Sequence, residues 1–245
     1  MAFKAIRVIG VVPARLGSTR LPEKMLADIH GEPLVVHTVR GAQKSGAFDQ
    51  VLVATDHEAI RDAVTRAGFE TLMTSAQHPS GTARTAEVAR TIAGDVFVNI
   101  QGDEPLVDSE ALCRLASAFL FEESLEMATL SFPLTACDEE NPNAVKVVAD
   151  ARGDALYFSR SLIPFPRSRQ SFHPWKHIGV YGYRRDTLLK LVSLPPCDLE
   201  QVESLEQLRA LYYGIRIRLI QATKEAIGVD TQADLERVRV LLQRS

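Results

Sequence analysis

The shortages in this sequence exclude more than its abundances suggest. Its three cysteines, Cys113, Cys137 and Cys197, are far apart and odd in number. They make neither a disulfide framework nor a thiolate zinc site. No stretch approaches the ~18 consecutive apolar residues of a membrane span. Neither sign of charge dominates: Lys+Arg 28 against Asp+Glu 31 leaves a net −3. Without a basic field to hold nucleic acid or an anionic membrane, any binding charge must be local. Residues 1–13 also lack the charge-first, unbroken apolar pattern of a secretory leader. The expectation is a cytoplasmic protein with no nucleic-acid partner and no membrane insertion.

Several familiar chemical signatures are missing as well. His57-Glu58 is followed by Arg61 where a zinc HExxH motif needs its second histidine. His173 and His177 are four apart, but Pro174 between them opposes a shared helical face. There is no GxSxG nucleophile elbow, and lone His30 and His37 read as structural residues.

What is present is an ordinary globular composition, 46% hydrophobic and 24% charged over 245 residues. Short Val- and Ile-rich runs at 6–12, 51–55, 96–101 and 127–132 read as buried strands. Segments 33–43, 58–67, 85–92 and 109–121 between them read as helices, with Pro33 in a first turn and Ser109 as an N-cap. A last helix is expected over 232–242. This alternation predicts an α/β fold, a mostly parallel Rossmann-like sheet with helices on both faces. Residues 133–185 break it with Pro164, Pro166, Pro174 and several aromatics. They read as a β-rich insertion in a single domain of 1–245, with short strands at 155–159 and 177–183.

Ligands of such sheets bind beyond the carboxyl ends of the strands, and the chemistry-bearing segments fall there. After the first strand, Pro13-Ala14-Arg15 opens a loop in which Arg15, Arg20 and Lys24 fall within ten residues. Cations, small residues and backbone N–H groups together suit a polyphosphate, although a solvated basic turn would look similar. After the strand at 96, Gln101-Gly102-Asp103-Glu104-Pro105 presents carboxylates where magnesium and a phosphate could meet; an acidic turn ending the strand is the plainer alternative. Asp230, after Gly228, is a second such aspartate, unless it or Thr231 simply caps the last helix. His78-Pro79-Ser80-Gly81-Thr82-Ala83-Arg84 could hold a base or ribose, and Ser80 or Thr82 could equally cap a helix.

Taken in order, these segments resemble the CMP-Kdo synthetases, the 3-deoxy-manno-octulosonate cytidylyltransferases. The likeness runs from about Val11 to Arg239. Besides the segments above it rests on Asn141-Pro142-Asn143-Ala144-Val145-Lys146, Ala155-Leu156-Tyr157-Phe158-Ser159-Arg160 and His177-Ile178-Gly179-Val180-Tyr181-Gly182-Tyr183. Leu205-Glu206-Gln207-Leu208-Arg209 and Gly228-Val229-Asp230-Thr231 complete it. The resemblance implies a homodimeric enzyme that couples the sugar acid Kdo to CMP from CTP with Mg2+, for lipopolysaccharide or capsule assembly. It implies CTP contacts from Pro13, Ala14, Arg15, Arg20, Lys24, Ser80, Gly81, Arg84, Gln101 and Asp103. Asp103 and Asp230 become the metal ligands, with Arg15 and Lys24 beside them in catalysis. Arg160, His177, Tyr181, Glu206 and Gln207 become the sugar-acid pocket, Arg160 facing the carboxylate.

Three places depart from the family pattern. Glu23-Lys24-Met25 stands where Gly-Lys-Pro is expected, Ala83 replaces an acidic residue, and residues 167–176, with the single Trp175, match poorly. The aromatic stretch 163–175 suggests either a dimer interface or a loop by the acceptor site. An 8-amino form of Kdo as acceptor fits nearly every motif, whereas sialic acid fits less well, because Leu16-Gly17-Ser18-Thr19-Arg20 is not a Gly-Gly-Ser-Lys type loop. A silent nucleotide-binding protein would have no use for two paired aspartates.

Overall fold

A computed structural model of the chain describes residues 6–17, 21–168 and 174–243. Among the described residues the main sheet has nine strands. They are β1 Val8–Ala14, β2 Gln50–Thr55, β3 Glu70–Met73, β4 Val96–Asn99, β5 Met127–Pro133, β6 Lys146–Ala149, β7 Ala155–Ser159, β8 Trp175–Arg184 and β9 Ile217–Gln221. The order across the sheet is β9-β5-β8-β4-β1-β2-β3, with β6 pairing β8 and β7 at one corner. Along that path only β8 runs against its neighbours, so the sheet is mostly parallel.

The helices are α1 Leu34–Lys44, α2 Glu58–Arg66, α3 Gly81–Thr91, α4 Ser109–Phe121, α5 Arg185–Ser193, α6 Asp198–Glu203, α7 Gln207–Tyr212 and α8 Gln232–Leu242. Alternation along β1 sends Val8, Val12 and Ala14 into a core with α1 and α4, and Ile9 and Val11 into a second core with α3 and α5. A third, small cluster of Ile29, Leu34, Val229, Leu235 and Val238 clamps α8 beside the start of α1. That clamp carries Asp230 to the sheet.

Differences from the sequence expectations have local causes. The first strand runs 8–14 rather than 6–12, because β2 stays paired as far as Ala14↔Thr55. Helix α3 starts four residues earlier than expected, since Ser80 caps it by accepting from Ala83 N. Asp108, not Ser109, caps α4 by accepting from the N–H groups of Glu110 and Ala111. Pro33 precedes α1 as its cap residue rather than lying inside the first turn. The segment at 177–183 is not a short strand apart: it belongs to ten-residue β8, seated between β4 and β5. Strands β3 and β9 escaped the sequence reading because they are the sheet's outer edges, partly exposed and without a continuous apolar run.

Candidate active site

β1 lies at a switch point: successive connections run to β2 and β3 on one side and then to β4 on the other. The ends of β1 and β4 therefore diverge into a crevice. The ladder pairing of β1 with β4 stops at Val11↔Asn99, although Ile100 N–H still donates to Val11 O at 2.9 Å and Gly102 packs against the Pro13 carbonyl. Pro13 can end this side of the strand because it has no N–H to leave unpaired. The resulting cleft, about 400 Å³, is lined by Pro13, Ala14, Arg15, Lys24, Ser80, Gly81, Arg84, Gln101, Asp103 and Asp230. Residues more than 200 positions apart thus share one cleft, as expected from the strand-end rule. Arg20 lies outside the described residues.

At its centre is Lys24, only 8% exposed. Its ammonium donates to Asp103 Oδ2 at 2.5 Å and to Asp230 Oδ1 at 2.9 Å. Burial lowers the lysine pKa, but the charge and hydrogen bond of Asp103, then those of Asp230, outweigh it and hold the pKa above its ordinary value. Asp230 is not spent as a helix cap. Thr231 does that work, accepting from Asp234 N in a reciprocal box with the Asp234 side chain. The two acidic loops are also tied through the backbone, Val229 N–H donating to Asp103 O at 2.9 Å. Two hard carboxylates converging on one cation form a donor set that suits a divalent ion completed by phosphate oxygens and water. Among the described residues no group of three or more His, Cys, Asp or Glu gathers as a cage of protein ligands alone.

Glu104 was noticed in the sequence only as part of its motif. Burial first, and the Asp103 charge second, push its carboxyl up to about 8. It lines a neighbouring cleft with Asn141, Asn143, Lys176, His177 and Asp230. Asp230 is the residue common to both clefts.

The other expected residues divide. Arg84 lines the first cleft, but its guanidinium is already held by Thr74 Oγ1 at 2.6 Å and Asp56 Oδ2 at 2.9 Å. Gln101 donates to Gly179 O at 3.1 Å, joining the end of β4 to the irregularity in β8. His177 meets Thr129 Oγ1 at 3.1 Å and packs between Phe158 and Tyr181, with ring centroids 5.2 Å away on each side. Burial pushes its pKa down to about 3, so the ring is neutral at pH 7. Arg160 donates to the backbone carbonyls of Glu203, Pro142 and Ser204. Glu206 accepts from Ser80 Oγ and Thr82 Oγ1. Gln207 is buried, with an amide Nε2 that has no hydrogen-bond partner among the described residues. Arg160, Tyr181, Glu206 and Gln207 do not line the cleft that holds Asp103. Of the remaining described histidines, His57 caps α2 and His30 and His37 bond backbone carbonyls, while His78 pairs with Glu87 and lines the first cleft.

The departures have physical readings. Glu23 has φ 52° and ψ 28°, the left-handed conformation that glycine adopts freely. Its side chain is exposed, and Glu23 does not line the cleft. Met25 is buried against Gly102 and forms part of the cleft wall. Ala83 lies on the far side of the Ser80 loop, in a groove with Glu200, Glu206 and Arg209, and not in the cleft with Asp103.

A cytidylyltransferase family model matches residues 9–217. A 3-deoxy-manno-octulosonate cytidylyltransferase of Bdellovibrio bacteriovorus is 45% identical over 244 residues, covering 97% of this chain and 98% of that one. That of Aeromonas hydrophila subsp. hydrophila is 49% identical over 248 residues, covering 95% and 97%. A solved CMP:2-keto-3-deoxy-manno-octonic acid synthetase complexed with CTP superposes with a TM-score of 0.94 at 41% identity, covering 97% of this chain and 99% of that one. A 4-diphosphocytidyl-2C-methyl-D-erythritol synthase from Anaerococcus prevotii shares the fold at 12% identity and a TM-score of 0.67.

Proposed function

The chain belongs to the 3-deoxy-manno-octulosonate cytidylyltransferases, and we propose that it transfers CMP from CTP to Kdo at the cleft around Lys24, releasing pyrophosphate. The observation that carries the site assignment is the convergence of Asp103 and Asp230 on one buried ammonium. In the reaction the anomeric hydroxyl attacks the α-phosphorus in line; its oxygen–phosphorus bond forms as the bond to pyrophosphate breaks. Pro13, Ala14, Ser80, Gly81, Arg84 and Gln101 form the walls that would seat the nucleotide. Arg15, exposed at the rim, and Lys24 beneath it would offset charge developing on the pyrophosphate. Arg20 belongs to the same proposed phosphate loop.

Asp103 and Asp230 would hold Mg2+, which would offset phosphate charge and acidify the attacking hydroxyl. Gln207 supports an acceptor site between α7 and β8, because a buried, unpaired amide donor calls for a partner. Tyr181 and neutral His177 would shape that site, and Glu206 closes it toward Ser80. Arg160 would face the sugar carboxylate with the donors its backbone bonds leave over. We also propose a homodimer joined through the aromatic stretch at 163–175, supported by Phe165, which is 84% exposed. A cytoplasmic location is supported by three free cysteines. Among the described residues no helix is long and apolar enough to cross a membrane.

Pyrophosphate release from CTP, Kdo and Mg2+ tests the reading, with UTP, sialic acid and 8-amino-Kdo in parallel. Asp103→Asn and Asp230→Asn should each lower kcat about a hundredfold or more, the scale for one lost transition-state contact. Release with 8-amino-Kdo alone would overturn the substrate; undiminished release by both variants would overturn the site.

A further inference from the structure

Glu206 is expected at the sugar acid, yet both of its carboxylate oxygens point to the nucleotide loop. Ser80 Oγ donates to Oε1 at 2.9 Å and Thr82 Oγ1 to Oε2 at 2.6 Å. The shorter bond is in the range of a hydroxyl bound to a full negative charge. Ser80 Oγ also accepts from Ala83 N at 3.2 Å, so one hydroxyl both starts α3 and reaches Glu206. Gly81 between them is wedged against the sheet: a Cβ there would lie 3.1 Å from Pro13 Cγ and 3.4 Å from Asn99 Nδ2. The loop therefore has the end of β1 on one side and the Glu206 carboxylate on the other.

Thr82 differs from its neighbours in this loop. It is 4% exposed and lines neither the cleft of Asp103 nor the groove beyond Ala83. Its hydroxyl lies near the buried Tyr183 phenol. Tyr183 stacks on Tyr181 with centroids 6.0 Å apart, and Tyr181 packs on His177. Thr82 thus bonds Glu206 and lies beside the Tyr183–Tyr181 stack while standing in the first turn of α3, on the nucleotide side.

We propose that Thr82 is a positioning residue: its hydroxyl fixes the Glu206 carboxylate and couples the nucleotide loop to the acceptor site, so that CTP and sugar acid each strengthen the other's binding. The inference rests on the reading that CTP lies against Ser80–Gly81 and the acceptor against Glu206–Gln207. With Glu206 bound by both hydroxyls, loop 80–82 and the first turn of α7 share one arrangement. A ligand that selects this arrangement at one site lowers the ordering cost at the other, and such coupling is reciprocal.

The test is calorimetric binding of α,β-methylene-CTP, which cannot transfer CMP, with and without saturating Kdo in Mg2+. Wild type should bind the analogue about 5- to 50-fold more tightly when Kdo is present. Thr82→Val keeps the shape and removes the donor; its enhancement should fall below about twofold, and KM for Kdo should rise roughly tenfold, the scale of one charged hydrogen bond. Thr82→Ser restores the hydroxyl and should restore both values. A merely structural role would leave the coupling in place. Wild type without enhancement, or Thr82→Val with it intact, overturns the proposal while pyrophosphate release from CTP and Kdo still stands. If Thr82→Val does not fold, Glu206→Gln serves instead, since its amide can accept from only one of the two hydroxyls; unchanged coupling there is equally fatal.

Discussion

Gly102→Ala places a methyl group where none fits. A Cβ at Gly102 would lie 2.9 Å from the Pro13 carbonyl oxygen and 3.1 Å from Met25 Sδ. The thioether can swing aside. The carbonyl cannot, because Pro13 is held in β1 opposite Ala54. The turn cannot retreat freely either: Thr38 Oγ1 donates to Gly102 O at 2.9 Å, and Val229 N–H donates to Asp103 O at 2.9 Å. Relief to an ordinary carbon–oxygen contact needs a parting of roughly 0.5 Å. Overpacking of this kind costs about 1–3 kcal/mol. At roughly 2–4 °C per kcal/mol for a chain of this size, Tm should fall by several degrees. The displacement separates Asp103 from Ala14 and Arg15, so kcat should drop about tenfold or more, following the sensitivity of positioned groups to sub-ångström to ångström errors. Thermal denaturation and pyrophosphate release read the two effects. A second change, Met25→Ala, removes the sulfur contact only and should rescue little. Wild-type Tm and kcat in Gly102→Ala, or full rescue by Met25→Ala, would refute the backbone clash.

Two further outcomes follow from backbone and charge. Glu23 holds a left-handed conformation that costs a non-glycine residue about 1–2 kcal/mol. Glu23→Gly relieves that strain and loses part of the gain to a freer unfolded chain; Tm should rise by about 1–2 °C, whereas Glu23→Ala, which removes the same charge, should give no rise. His177 is held neutral, its pKa pushed from 6.5 to about 3 by burial. Between those values the unfolded chain binds a proton that the folded chain refuses, so stability falls as pH drops through that window. Urea unfolding from pH 7 to pH 4 should show this loss in wild type and less of it in His177→Gln; equal slopes would remove His177 as the cause.

The sequence made the sheet's centre legible because buried strands there have no polar face to disguise them. Val8, Ile9, Val11 and Val12 are all at most 4% exposed and read as one apolar run. The outer strands were missed for the opposite reason: β9, Ile217–Gln221, interleaves Arg218 and Gln221 with its apolar residues. In the cleft, the strand-end rule was enough to single out Arg15, Lys24 and Asp103, since Arg15 and Asp103 follow buried strands within a few residues and Lys24 lies on the segment that follows the first. It could not show what their side chains bond to. Arg84 and Glu206 were both read as ligand contacts from a motif, yet one is anchored by Asp56 and Thr74 and the other holds a loop 126 positions earlier in the chain. Such pairings depend on the register of distant elements, and local residue patterns carry no record of it. Glu23 is the reverse case: the family pattern pointed to glycine, and the left-handed φ at that position supplies the reason.

Lys24 explains how two carboxylates can wait at one point without driving their loops apart. Asp103 follows a strand of the main sheet, and Asp230 immediately precedes the N-cap of α8, which is attached through the small cluster of Ile29, Leu34, Val229, Leu235 and Val238. Mutual repulsion would favour separation of the two segments, and the buried ammonium removes it at the distance of a hydrogen bond. One lysine charge against two carboxylates leaves the trio with a net charge of −1, which still attracts a divalent cation. On the proposed mechanism Lys24 then exchanges carboxylate oxygens for phosphate oxygens within the same cleft. The same residue would thus assemble the site before the nucleotide arrives and offset the leaving group's charge afterwards. Lys24→Met should therefore weaken the docking of α8 as well as slow the reaction, whereas loss of Arg15, exposed at the rim, should slow the reaction alone. Hydrogen exchange of α8 in the two variants separates these roles, and equal protection in both would show that Lys24 has no part in holding the loops together.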